Sequence, residues 1–182
     1  MWWIEGSSMD SPRKPFRLNV GFIVNNDVGF STDFPFEFEK IKVSEDLVLH
    51  NFLGNANIGR TPQGLLLTGQ FEASLKLDCA RCLREFDETI HWDITELFAF
   101  TEKSITDSGL LLPDDAQIDL TPMMRDYALL EVPIRPICKP DCKGLCSTCG
   151  QDLNNKDCGH RTNSDDSPFS VLKELLKNKP DA

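Results

Sequence analysis

The 182-residue chain is predicted to be an α+β protein: a mainly antiparallel β-domain with a short buried helix, then a small cysteine-rich lobe ending in a helix. Three observations predict this. Residues 16 to 100 hold runs that alternate apolar and polar side chains, two later stretches open on Thr-Pro or Ser-Pro and continue helically, and five of the seven cysteines crowd into residues 138 to 160.

In the first strand candidate, Phe34-Pro-Phe-Glu-Phe-Glu, the period of two turns Phe34, Phe36 and Phe38 to a core and Glu37 and Glu39 to water. Pro35 suits an edge strand or a strand start, because it donates no ladder hydrogen bond. Residues 47 to 59 and 65 to 78 form a predicted hairpin around Thr61-Pro-Gln-Gly64, with Pro and Gly where a tight turn uses them. A further strand over 85 to 100 follows Cys79-Ala-Arg-Cys82-Leu, placing that pair of thiols at a hairpin tip. Residues 101 to 119 lose the alternation and carry Gly109, Pro113, Asp114, Asp115 and Asp119, as an acidic linker would. Thr121 reads as a helix N-cap with Pro122 after it, Met123 to Leu130 as a helix buried on most sides, and Pro133 as its stop. Ser167-Pro168 repeats the pattern, with Phe169, Leu172, Leu175 and Leu176 on one face. The expected divisions are an extension (1–15), the β-domain (16–100), the linker (101–119), the helix and connection (120–137), the cysteine lobe (138–161) and the C-terminal helix and tail (162–182).

A formal charge of −10 argues against a broad grip on nucleic-acid phosphates, which needs a basic face. Apolar runs are far shorter than the roughly 18 residues of a membrane span, so no membrane association is expected. The opening MWWIEGSSMD is too short and too soon acidic for a signal peptide, with Met9 an alternative start. A cytoplasmic location follows, and in a reducing cytosol close cysteine spacings favour metal ligation or catalysis over disulfides. No phosphate loop, nucleotide fingerprint or His-Glu-x-x-His motif is present, no small-molecule substrate is evident, and His50 and His91 have no partnered nucleophile or carboxylate at a telling spacing.

Cys146-Ser-Thr-Cys149-Gly150 has the form of a zinc knuckle: two intervening residues let both sulfurs reach one ion, and the glycine takes the positive φ of the turn. Cys142 precedes it, Cys158 and His160 follow, Cys79 and Cys82 form a second such pair, and Cys138 completes eight potential ligands. One partition sets Cys146, Cys149, Cys158 and His160 on one zinc ion and Cys79, Cys82, Cys138 and Cys142 on another. The competing partition is a single site of Cys142, Cys146, Cys149 and Cys158. A small lobe rich in Lys, Asp, Asn and Gly buries too little apolar area to hold itself together, which is the need a structural metal meets. A thiol oxidoreductase built on Cys79-x-x-Cys82 is the enzymatic alternative, although that motif normally opens a helix and here lies between strands.

Cys79-Ala-Arg-Cys82-Leu83 resembles the Cys-x-Arg-Cys-Leu element of the YceD-like large ribosomal RNA subunit accumulation proteins. The order Asp119-Leu120, Arg125, Leu129-Leu130, Pro133, Pro136, Cys138, then Cys142-Lys-Gly-Leu-Cys146-x-x-Cys149-Gly-x-Asp-Leu-Asn154, is similar to that family's C-terminal half. Many relatives end the cluster on Cys-x-Cys where this chain has Cys158-Gly-His160. The resemblance implies a non-catalytic bacterial or plastid factor for large-subunit rRNA accumulation and ribosome assembly, whose partner is an assembly protein or an rRNA precursor. The other non-enzymatic reading is a metal-stapled adaptor outside ribosome biology.

Overall fold

A computed structural model describes residues 14–160, within which the chain forms two compact units: residues 14–76 with 87–134, and residues 77–86 with 135–160. The helix expected after Ser167 lies outside the described residues. In the first unit β1 (Arg17–Asn19) and α1 (Gly21–Val24) precede four long strands, β2 (Ser31–Lys42), β3 (Val48–Arg60), β4 (Gly64–Asp78) and β5 (Glu85–Ala99). A 3-10 turn (Glu102–Ser104), β6 (Gln117–Asp119) and α2 (Thr121–Glu131) follow. The last two residues of β4 and the first two of β5 belong to the second unit.

The four long strands form one sheet in the order β2-β3-β4-β5. β2 and β3 pair antiparallel from Ser31↔Gly59 to Lys42↔Val48, and β3 and β4 likewise through Ile58↔Leu67 and Asn55↔Gln70. Between β4 and β5 the contacts Ser74–Thr89 and Glu72–His91 run in opposite directions along the two strands, which makes this pair antiparallel too. Pro35 sits in edge strand β2, where its missing N–H removes nothing from the inner ladder. The β3–β4 turn is the expected one: Thr61 donates its N–H to the Gly64 carbonyl at 2.9 Å, and its hydroxyl bonds both the Gly64 N–H and C=O. A side chain at Gly64 would collide with the Phe98 carbonyl, so the close approach of β5 requires glycine there.

Alternation carries the core. Leu65, Leu67, Phe71, Ala73 and Leu75 of β4 are buried on one face while Leu66, Gln70, Glu72 and Lys76 face out. Phe52 is fully buried and its ring meets those of Phe16, Phe38, Phe71 and Trp92 at 5.4 to 6.1 Å. Phe36 is buried, and Phe34 and Phe38 are half-buried, with Glu37 and Glu39 exposed as the pattern requires. Phe16, Val20, Ile23, Ile118, Leu120, Met124 and Ala128 supply buried residues from outside the large sheet, the arrangement of an antiparallel sheet covered on one face. Among the described residues no helix is long and apolar enough to cross a membrane.

Three expectations are corrected. Residues 101–119 are not merely a linker: Ala99 exchanges backbone hydrogen bonds with Leu110 and Leu112, and Gln117–Asp119 pairs antiparallel with β1, burying Ile118. Three residues are too few for periodicity to reveal, and two acids of this segment are partners, Asp115 for Arg17 at 3.3 Å and Asp119 for Lys14 at 3.7 Å. Thr121 is the first residue of α2 and not its cap; Leu120 takes that place, and Asp119 accepts the Thr121 N–H at 3.0 Å. Helix α2 is buried along one line only, Met124 and Ala128, one turn apart, while Leu130 is 78% exposed. Apolar residues occur all round this helix, but only the i, i+4 line meets the core.

Candidate metal centre

The cysteines gather in the second unit. Two turns of the same construction carry the first pair of sulfurs of each group. In residues 79–84, Leu83 donates its N–H to the Cys79 carbonyl and Cys79 donates to Arg84, both at 2.9 Å. In residues 146–151, Gly150 donates to Cys146 and Cys146 donates to Gln151, both at 2.8 Å. Each turn needs a positive φ at its fifth residue, 56° at Leu83 and 72° at Gly150.

The ligand atoms of Cys79, Cys82, Cys138 and Cys142 all lie within 4.8 Å of one another, and those of Cys146, Cys149, Cys158 and His160 do the same. Cys142 therefore joins the hairpin-tip thiols and not the 146–149 turn. The Cys79–Cys142 and Cys82–Cys138 sulfurs stand 3.8 and 3.7 Å apart. A tetrahedron with metal–sulfur bonds of about 2.3 Å has edges of about 3.8 Å, so the spacing fits a zinc-sized thiophilic cation. In the other group His160 Nδ1 lies 3.4 Å from Cys158 Sγ, against about 3.5 Å expected for one imidazole and one thiolate on a common ion.

The two groups differ in exposure. Cys79 is fully buried, Cys142 is 3% exposed and Cys82 7%, packed with Phe86, Ile137 and Leu145. Cys149 and His160 are exposed. Backbone N–H groups aimed at the sulfurs favour thiolates: that of Cys138 is the main reason Cys79 is held down at about 6, and those of Cys149 and Thr148 lower Cys146 to about 6. Desolvation, aided by neighbouring thiols, pushes Cys138 up to about 12. A dication bound there would displace the thiol protons that remain.

Segments far apart in the chain are pinned by hydrogen bonds: the Ala80 N–H donates to the Pro136 carbonyl at 2.8 Å, the Leu145 N–H to the Arg81 carbonyl at 3.0 Å, and the Arg81 side chain, through Nη1, to the Cys142 carbonyl at 2.8 Å. Behind the ligands stand Arg84, Asp152 and Asn154, joined by an Arg84–Asp152 ion pair at 2.9 Å and Asn154 Nδ2 donating to Asp152 at 2.8 Å. Sequence reasoning does not single these out as outer partners, since nothing in their spacing says that Asn154 meets the Cys142 sulfur or that Asp152 ties it to Arg84.

The family model described as "Large ribosomal RNA subunit accumulation protein YceD" matches residues 67–176, more than half of the chain and both ligand groups. This chain belongs to the YceD family. A Mycobacterium tuberculosis protein is 35% identical over 123 residues, covering 65% of this chain and 59% of the relative, so the match spans well under two thirds of that protein. The Zea mays protein named "Large ribosomal RNA subunit accumulation protein YCED homolog 1, chloroplastic" is 34% identical over 73 residues, 40% of this chain and 20% of its own. A Bacillus subtilis relative is 29% identical over 103 residues, 56% of this chain and 60% of the relative. No solved structure matches the chain significantly.

Proposed function

We propose that the chain is a non-catalytic factor that supports large-subunit rRNA accumulation and ribosome assembly, with a second unit held together by two structural zinc ions. Membership of the YceD family supports the process, and the 3.7 and 3.8 Å sulfur spacings carry the metal reading. Cys79, Cys82, Cys138 and Cys142 would hold one ion, and Cys146, Cys149, Cys158 and His160 the other. With four protein ligands each, such sites are closed: the metal supplies cross-linking and has no open position for a reacting water. Burial of Cys79 and Cys82 weighs against thiol–disulfide exchange, which needs an accessible thiolate.

The partner in this reading is a ribosome-assembly protein or the large-subunit rRNA precursor, met in a reducing compartment such as the cytoplasm. Between residues 134 and 161 five basic and three acidic side chains leave a formal +2, but the seven thiolates and two dications of this reading add −3 and bring the balance to about −1, so the unit is no extended phosphate clamp and any RNA contact is local. Depletion in the host, followed by the ratio of large- to small-subunit rRNA and the subunit profile on a sucrose gradient, tests the process. A selective loss of the large subunit is expected; an unchanged ratio and profile would remove the ribosomal reading and leave the metal reading to its own test, zinc per chain.

A further inference from the structure

The residues between Cys142 and Cys158 serve both ligand groups at once. Cys142 belongs to the first and Cys146 to the second, and the turn between them passes through Gly144 at φ 75°. That turn is pressed against the hairpin tip, since a side chain at Gly144 would come within 2.9 Å of the Arg81 carbonyl. It is also closed on the far side, where Leu153 donates to the Gly144 carbonyl at 2.9 Å and Leu145 bridges Asp152.

Asn154 completes the link. Its Oδ1 accepts the Lys143 N–H at 2.9 Å, which fixes which end of the amide is which and turns Nδ2 toward the Cys142 sulfur at 3.5 Å. The same Nδ2 donates to Asp152 Oδ1, and Asp152 Oδ2 holds Arg84, just after Cys82. Asn154 lies on the segment from Cys149 to Cys158 that must be ordered for the second group to converge. Ordering that segment therefore also sets an N–H donor on a sulfur of the first group.

We propose that Asn154 is a positioning residue that couples the two metal sites, so that an ion bound by Cys146, Cys149, Cys158 and His160 raises the affinity of the site formed by Cys79, Cys82, Cys138 and Cys142. Linkage makes the effect reciprocal. The inference rests on the two-zinc reading above. A donor to a ligating thiolate acts as outer-shell partners do elsewhere, where their loss costs about 10- to 100-fold in metal affinity.

The test is titration of the metal-free full chain with cobalt(II), whose ligand-field bands separate an all-sulfur site from a three-sulfur, one-imidazole site. In the unmodified chain both sets of bands are expected to grow together. Cys149→Ser should weaken the all-sulfur site by about 5- to 150-fold, the usual range of coupling between sites. Asn154→Ala should weaken the all-sulfur site about 10- to 100-fold, shift its sulfur-to-cobalt charge-transfer band and make the two sites fill independently. Asn154→Asp, which keeps the acceptor for Lys143 but loses the donor to Cys142, should reproduce the band shift and serves if the alanine variant folds poorly. Independent filling in the unmodified chain, or Asn154 variants with unchanged band and affinity, would overturn the coupling while leaving two zinc sites intact. Fewer than two ions per chain would overturn the two-zinc reading and the coupling with it.

Discussion

Leu83 and Gly150 occupy the same place in two turns of one design, each donating its N–H to the carbonyl of the cysteine four residues earlier, at 2.9 and 2.8 Å. Both take positive φ, but one is a leucine, 69% exposed, in a conformation that favours glycine. The chain thus carries about 1 kcal/mol or more of left-handed strain in the first turn that the second avoids. The network around Cys79 must hold that turn against the strain.

The glycines of the second unit should differ in cost. At Gly150 an added methyl meets nothing within 4 Å, so Gly150→Ala should lose only the left-handed backbone penalty, about 1 kcal/mol. At Gly144 the same methyl also meets the Arg81 carbonyl, and Gly144→Ala should cost about 2 kcal/mol or more. Leu83→Gly should be neutral to mildly stabilising. Urea unfolding of the three metal-loaded variants checks the order, and equal costs at Gly144 and Gly150 would contradict the packing of residue 144 on Arg81.

Metal should leave the two sites in order. Cys149 and His160 are exposed whereas Cys79, Cys82 and Cys142 are buried, so a chelator should strip the second group first and the first group more slowly. Stopped-flow release into a chromogenic chelator should show two phases, the faster one missing in Cys149→Ser. A single phase would remove the order of release, and loss of the slower phase in that variant would reverse the assignment.

Acid should weaken the first unit partly through Asp46. The Arg125 guanidinium, 2.8 Å away, holds the Asp46 carboxyl down at about 2, with the Ser44 hydroxyl helping. A depressed carboxylate stabilises the fold above its unfolded pKa of about 3.9, and that share is lost as pH falls through about 2. Asp46→Asn should therefore flatten the drop in melting temperature between pH 4 and pH 2 by the same amount as it lowers the melting temperature at neutral pH, a small amount in physiological salt, where exposed pairs contribute little. Proton-driven metal loss acts on both proteins alike, so the difference between their acid limbs isolates the pair. Superimposable acid limbs would show that the pair contributes nothing.

The aromatic cluster should dominate the stability of the first unit. Phe52→Ala removes a fully buried ring in contact with four others and should cost about 3 to 5 kcal/mol. Gly54→Ala would put its methyl inside the Phe71 ring and 2.8 Å from the Gln70 carbonyl, for about 1 to 3 kcal/mol. In a Phe71→Leu background the Gly54→Ala cost should fall by about 0.5 kcal/mol or more, which a double-mutant cycle in urea measures. Strict additivity would mean that Phe71 does not limit that site.

Much of the fold was legible in the residues. The expected strands at 47–59, 65–78 and 85–100 lie within a residue of β3, β4 and β5, because a half-buried strand must alternate and the Thr61-Pro-Gln-Gly64 turn has local chemistry. Less legible were β6, three residues long, and the exposed sides of α2. A short strand has no period to read, and a helix with apolar residues on several faces does not announce which one its neighbours will cover.

By itself the sequence determined the strand pattern, the two turn-forming Cys-x-x-Cys elements and the eight candidate metal-binding side chains, seven cysteines and one histidine, all legible within a few residues of each position. Tertiary structure alone decided the partition, bringing Cys142 to Cys79 and Cys138 to Cys82 across 63 and 56 residues and leaving Cys146 to Cys149, Cys158 and His160. Closing so long a loop costs nearly the same whichever thiols meet, so spacing cannot choose between partitions. The choice falls to contacts that form only in the folded chain: Ala80 on Pro136, Leu145 on Arg81, and Asn154 on Cys142.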